Sequence, residues 1–469
     1  MPAFMNWFHK RVFGDHHEGL KTLFYIEMWE RFSYYGMRCL LLLYMVAAVE
    51  QGGLGFSEHS AELTYGWYTS LVYLTPLLGG LLADWCWGAR RSMLLGGMII
   101  AAGHFTMVFP SLFSFYLGLG LIVAGTGLLK GNIQTMVGQL YTEEDARRKA
   151  AFRLYYMGIN VGAFLAPIVC GILGKNAGFK SVLAFFGMDP TTSWHWGFAA
   201  AGVGMVFGLV HYWHDRKTLT GIGGRVVPLP KAAETGGLPK QREPLLTWHD
   251  LRRLAALMIL FAGAVCFWSI AEQAGTSLSL FADNHTREKL LGVHIDSPLY
   301  QAINPLWVII LTPVFAAIFA RLAKRGIDPS TPTLFAVGLF FLAVGTAVMV
   351  PAAKLAVEGK VSPLWLMSLY FIQTVGELCL SPIGNEAATR LAPKRFKGLA
   401  MGIWLMSSAV AAFLASHLAT LASASDPHSI MLLFAGLTTA ALVFAGAMLV
   451  VRPWVNPPAE TFATVRRLG

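Results

Sequence analysis

Apolar residues run along this chain in long blocks separated by short polar punctuation. They show neither the two-residue alternation of half-exposed strands nor the single apolar stripe of soluble helices. Stretches 63–83, 93–111, 159–174 and 398–425 carry no Asp, Glu, Lys or Arg, and about 20 apolar residues in a row cross a bilayer as one helix. Read this way, the chain predicts twelve spans, at roughly 21–49, 63–83, 92–110, 112–139, 153–174, 195–213, 250–282, 297–320, 332–352, 362–388, 398–424 and 429–451. Segment 214–248, rich in Gly, Pro and charge, holds no run long enough to cross. It is expected to be a cytoplasmic linker between an N-terminal six-helix bundle, 1–213, and a C-terminal one, 249–469. Segment 179–188 is expected to lie on the outer membrane interface.

Composition sharpens this reading. Of 469 residues 55% are hydrophobic and only 13% charged, against about a quarter charged in ordinary soluble domains. So few charges cannot cover soluble domains of this length, which excludes a soluble enzyme. The net charge of +10 suggests nucleic acid until its distribution is traced, because the basic residues fall in alternate short loops. With the N-terminus in the cytoplasm, the cytoplasmic segments hold 27 Lys and Arg and the outer ones six. The positive-inside rule therefore puts both termini inside. The polar segment 1–19 does not read as a secretory signal. Cysteines 39, 86, 170, 266 and 379 are odd in number and lack metal-ligand spacing, so buried thiols are expected rather than disulfides or zinc.

Charge inside the spans points to function. Glu27, Glu30, Arg31 and Arg38 fall in the first span, Lys130 in the fourth, Glu272 in the seventh and Glu377 in the tenth. A charge at mid-bilayer costs about 2.5–3.5 kcal/mol on insertion scales, so each needs a partner, a proton or water. Their recurrence in every third span fits three-helix repeats whose first members line a shared cavity. On a helical wheel Glu27, Glu30, Arg31, Tyr34 and Arg38 occupy an arc of about 100°, and Glu27 and Arg31 are placed for an i,i+4 pair. Pro76, Pro167, Pro305, Pro313 and Pro382, with Gly36, Gly131, Gly162, Gly275 and Gly376, interrupt spans, as suits kinked or closely packed membrane helices.

The stretch Glu27-Met-Trp-Glu30-Arg31-Phe32-Ser33-Tyr34-Tyr35-Gly36 resembles the ExxERFxYYG signature of the proton-coupled oligopeptide transporters, a family of the major facilitator superfamily. Gly80–Asp84 with Gly88, Arg90 and Arg91 is similar to the superfamily's loop between helices 2 and 3. Gly127–Asn132, Tyr155–Gly162, Trp268 with Glu272-Gln273, and Gly376-Glu377 with Ser381-Pro382 resemble the family's elements on helices 4, 5, 7 and 10. The resemblance implies an all-α membrane protein of two six-helix bundles around a central cavity. It also implies proton-driven symport of di- and tripeptides by alternating access.

A site for many short peptides clamps their two charged ends and leaves side chains loosely pocketed. Arg31 and Lys130 then take the peptide carboxylate, Arg offering a bidentate fork, and Glu377 takes the ammonium. Asn160 and Asn304 are candidates for the peptide backbone, and Tyr34, Tyr35, Tyr68, Trp268, Trp404 and Ser408 for the pockets. Glu27, Glu30 and Glu272 are candidates for the coupling proton: a protonated Glu272 would release Lys130, and protonation in the first helix would release Arg31. An Arg38–Glu377 bridge is a candidate gate. Mammalian relatives carry a proton-handling His in helix 2 where Gly66 stands here, so carboxylates must serve, as in the bacterial branch.

The expected ligands are peptides, the bilayer and the proton as coupling ion. No cofactor, metal or nucleic acid is expected, and the protein is expected to be a monomer in a bacterial inner membrane. Two alternatives on the same fold are a carrier of nitrate or another small solute and a drug/proton antiporter. A membrane-embedded enzyme lacks support, since no Asp dyad, activated Ser or His/Glu metal set is spaced for catalysis.

Overall fold

The computed structural model describes residues 12–142, 144–145, 147–224, 248–391 and 397–452; most of the expected linker, 225–247, lies outside them. The chain groups into two compact units, one of residues 1–226 with 274–309 and the other of 227–273 with 310–469.

The first unit contains α1 (Glu18–Val46), α2 (Glu58–Leu82), α3 (Ala89–Thr106), α4 (Leu112–Gln139), α5 (Arg147–Lys175), the short α6 (Ala177–Phe185) and α7 (Ser193–Asp215). Polar residues fix several starts by accepting from the amides that an N-terminus leaves open. Gly19 N–H donates to the His17 ring at 3.0 Å, Ser114 N–H to Ser111 Oγ at 3.1 Å, and Gly178 N–H to Asn176 Oδ1 at 2.9 Å. α1 is sheathed by α5 and α7, while α4 packs on α2 and α3. Close approach is what buries α1 on nearly every side. Gly162 of α5 lies against the backbone of Met28 and Phe32, where a Cβ would sit 3.0 Å from the Phe32 nitrogen. Leu20, Leu23, Phe24, Ile133, Met136, Val137 and Met205 form the apolar core beneath. The start of the expected linker is folded onto this unit, with Leu219 fully buried and the Arg90 amide donating to the Gly223 carbonyl at 2.9 Å.

The second unit contains α8 (Trp248–Ala271), the latter part of α10 (Ile303–Lys324), α11 (Thr331–Ala356), α12 (Leu364–Leu391), α13 (Lys397–Ala419) and α14 (Pro427–Val450). α11 packs against α12 and α14, and α8 against α13. Phe335, Leu339 and Phe434 fill the middle, and Thr438 donates to Thr346 across α14 and α11 at 3.0 Å. Such a bond within a membrane is worth only about 0.6 kcal/mol, so apolar packing carries most of the cohesion.

Every predicted span falls on helix, and among the described residues eight segments are long and apolar enough to cross a membrane. The seventh is interrupted. α8 ends at Ala271, a 3-10 turn covers Glu272–Gly275, and the chain resumes as α9 (Ser277–Asn284). A hairpin of β1 (Lys289–Leu290) and β2 (Val293–His294) follows α9. Residues 177–185 form α6, with Leu183 buried and Phe185 and Phe186 exposed. All five cysteines are free. Two depart from the buried expectation: Cys86 is exposed on the π-helical turn Ala83–Trp87 that continues α2, where Trp85 and Trp87 are exposed too, and Cys266 is half-buried.

Candidate functional site

In the first unit the charged arc of α1 is fully enclosed. Glu27 and Glu30 are each 1% exposed and Arg31 3%. Arg31 addresses Glu30 with both Nε and Nη2, the latter at 2.6 Å from Oε1, and its Nε stands 3.4 Å from Glu27 Oε1. The anticipated i,i+4 pair is thus present, and the adjacent Glu30 forms the tighter, bidentate contact. The guanidinium carbon also lies 5.1 Å from the Tyr34 ring centre, within cation–π range. Tyr155 of α5 faces Glu27 without completing a hydrogen bond to it. Two acids sharing one base leave this trio one positive charge short of neutral when all are ionised. In a desolvated setting such an imbalance favours taking up a proton or another cation.

Two turns beyond Arg31 along α1, Arg38 Nε donates to the Tyr65 hydroxyl at 2.6 Å, and its guanidinium carbon is 5.7 Å from the Tyr35 ring centre. Tyr34 and Tyr35 meet edge to face at 5.1 Å. Tyr68 is buried, and its hydroxyl has no hydrogen-bond partner among the described residues. Lys130 holds its ammonium 3.9 Å from the Tyr73 ring centre. Asn160 donates to the Tyr156 carbonyl one turn back at 2.9 Å, and Asn304 is half-buried at the start of α10.

In the second unit Glu272 occupies the 3-10 turn just past α8, half-buried. Gln273 beside it is buried and donates to the Ala415 carbonyl of α13 at 2.8 Å, fastening the break to its neighbour. Trp268, one turn earlier, is half-buried and edge-on to Phe267. Glu377 is buried on α12, and Trp404 on α13 is buried with its ring 6.3 Å from that of Phe335. Ser408, one turn beyond Trp404, is half-buried. The structure therefore brings Glu27, Glu30, Arg31 and Tyr34 together, and Arg38 with Tyr35, within one unit. Glu272 and Glu377 belong to the other.

Three residues of this region were not singled out from sequence. Tyr65 and Tyr73 hold the two cations, but nothing in the sequence ties a tyrosine of one helix to a cation of another. Glu62 on α2 is only 2% exposed. It lies one residue before the predicted second span, and its three-residue spacing from Tyr65 would have placed it on the same face.

The POT family model matches residues 90–225 and 245–433. The chain belongs to the POT family. It is 37% identical to the uncharacterized transporter YclF of Bacillus subtilis, over 95% of this chain and 96% of that one. With the peptide transporter YePEPT of Yersinia enterocolitica it shares 34% identity, over 94% of this chain and 95% of the other. Among solved structures it resembles the peptide transporter POT in complex with sulfate. The TM-score is 0.83 at 36% identity, covering 94% of this chain and 96% of that one. The POT chain described here is accordingly a multi-pass membrane protein with the two-bundle major facilitator fold, and these relatives are transporters rather than enzymes.

Proposed function

We propose that this POT-family chain carries di- and tripeptides into the cytoplasm, driven by protons that move with them. The observation that carries the reading is the buried Arg31, shared between Glu30 and Glu27. A peptide carboxylate arriving at Arg31 adds a third negative charge around a guanidinium that already faces two carboxylates. Desolvated like charges repel strongly, so the carboxylate displaces Glu30 only when a proton settles on Glu27 or Glu30. Substrate and proton are thereby obliged to travel together.

In this reading Lys130 leaves Tyr73 to share the carboxylate once Glu272 is protonated. Glu377 receives the peptide ammonium, Asn160 and Asn304 engage backbone amides, and Tyr34, Tyr35, Tyr68, Trp268, Trp404 and Ser408 line loose side-chain pockets. An Arg38–Glu377 bridge forms one gate of the cycle. The protein works in a bacterial inner membrane with both termini in the cytoplasm. Relatives named as peptide transporters support the substrate class.

The test is uptake of labelled dialanine by liposomes holding the purified protein under an inward proton gradient. Accumulation should collapse with a protonophore. Glu272→Gln should retain peptide exchange and lose accumulation, and undiminished accumulation in that variant removes Glu272 from the coupling. Uptake inhibited by nitrate and not by unlabelled dipeptide would transfer the fold to small-anion carriage. Export of a labelled drug without peptide uptake would transfer it to antiport.

A further inference from the structure

A second polar contact holds α1 from outside its charged arc. A hydrogen bond of 2.6 Å joins Ser33 Oγ of α1 to Nε2 of His104, in the last turn of α3. Both residues are wholly enclosed, at 0% exposure. The other ring nitrogen, Nδ1, is buried with no hydrogen-bond partner among the described residues. The one polar contact of this imidazole there is thus with the residue just before Tyr34 and two beyond Arg31. α7 leaves room for it. Gly202 stands against His104, whose Cβ a Cβ at that glycine would meet at 3.0 Å, while Gly204 and Gly208 bring α7 onto Phe32 and Trp29 of α1.

Helical spacing shows what this contact governs. At about 100° per residue, Ser33 projects about 60° beyond the edge of the arc that Glu30 marks, on the side away from Arg31. At the opposite edge α5 closes in through Gly158 and Gly162, against Phe24, Met28 and the Arg31 Cβ. Apolar packing is non-directional, so it brings the helices close without fixing how α1 is turned. A hydrogen bond is directional and weakens steeply when misaligned. Helical side chains ride about 5–6 Å from the axis, so a roll of about 20° carries them about 2 Å. That exceeds the roughly half an ångström between a short N–H···O bond and a long one. Cohesion alone would be served as well by an apolar pair of the same shape, since exchanging both partners of a buried hydrogen bond for apolar groups is nearly neutral.

We propose that His104 is a positioning residue for the peptide site: through Ser33 it sets the roll of α1 and so aims Arg31 and Tyr34 at the substrate; this rests on the transport reading above. His104 touches no substrate in this scheme and carries no coupling proton. Its leverage comes from the helix. Glu27, Glu30, Arg31 and Tyr34 share one backbone, so a single contact on the flank aligns all four at once.

Concentration dependence of dialanine uptake in liposomes separates positioning from a merely structural bond. Misplacing a binding group by 1 Å can cost roughly 100-fold. Ser33→Ala and His104→Leu should each raise the half-saturating dialanine concentration at least about fivefold, with the maximal rate per folded carrier within about twofold of the parent. His104→Gln, whose amide nitrogen reaches the place of Nε2, should restore it. The double variant should be no worse than either single one, because both changes remove the same bond. A half-saturating concentration unmoved in both single variants overturns the proposal, and so does a folded His104→Gln protein that fails to restore it. Should His104→Leu not fold, Ser33→Ala, which deletes only a hydroxyl, carries the test. A second measurement needs no substrate. In a Cys86→Ser background, the rate at which a water-soluble methanethiosulfonate modifies Tyr34→Cys reports which way the arc faces. Ser33→Ala should change that rate at least about threefold and His104→Gln should leave it as it was; equal rates in parent, Ser33→Ala and His104→Leu overturn the positioning role. If the parent takes up no dialanine, the peptide reading fails on its own, and these rates still decide what His104 does.

Discussion

Tyr65→Phe isolates a single interaction. The substitution keeps the ring, whose centre lies 6.0 Å from the Arg38 guanidinium, and removes only the hydroxyl that accepts from Nε at 2.6 Å. Both residues are buried, Tyr65 at 2% and Arg38 at 5% exposed, so water cannot replace the lost acceptor. Hydrogen bonds to charged groups contribute about 1.5–3 kcal/mol, and a stranded buried donor costs in the same range. Ordinary interhelical bonds in membranes average about 0.6 kcal/mol. The expected loss is therefore about 1.5–3 kcal/mol, or roughly 10- to 150-fold in the folding equilibrium. Reversible denaturant unfolding in detergent micelles, followed by tryptophan fluorescence, measures it. A loss no larger than about 0.6 kcal/mol would mean that the Arg38 charge is effectively solvated, and the desolvation argument for the whole α1 face would fall with it.

Other outcomes follow from the same geometry. Arg31→Lys keeps the charge and loses the fork that holds Glu30 with two nitrogens, so dialanine uptake should fall at least tenfold without unfolding; uptake near the parent rate would remove the bidentate role. Gly162→Ala forces a methyl against the α1 backbone and should destabilise the protein by about 1–3 kcal/mol, seen as a lower unfolding temperature. The loop before α5 should be indifferent to pH across the transport range. Arg147, through its side chain and then its amide, holds the exposed Asp145 carboxyl below its ordinary value. Stability from a depressed carboxyl is complete above its unfolded value, about 3.9, and is lost only as pH falls through the still lower folded value. Hydrogen exchange at Arg147, corrected for intrinsic rates, should be flat from pH 5 to 7, and a transition there would contradict this assignment.

How much of this was legible in the sequence differs from feature to feature. The charges of α1 announced an inward face because helical spacing alone gathers them. Their near-complete enclosure did not show, since it depends on glycines of α5 and α7 that meet α1 only in three dimensions. The break at Glu272–Gly275 was half-visible: Gly275 marked a weak point, but hydropathy sums side chains and is blind to backbone geometry, so 250–282 read as one run. The hairpin had a local signal, Gly292 at φ 85°, inside what looked like an ordinary outer loop. The grip of Lys175 on Asp283 had none, because residues 108 positions apart carry no mark of their meeting.

The interrupted seventh helix has a mechanical consequence. An unbroken rod transmits twist along its length, whereas a rod cut at one place concentrates bending there. α8 and α9 are two such lengths, and the acid Glu272 rides on the joint between them. Welding the joint by giving Gly275 a side chain is blocked from outside, because a Cβ at that position would run into the Tyr65 hydroxyl. The oxygen that steadies Arg38 is therefore also the atom that leaves no room for a side chain at Gly275, and a variant meant to fill this position would have to alter Tyr65 of α2 first.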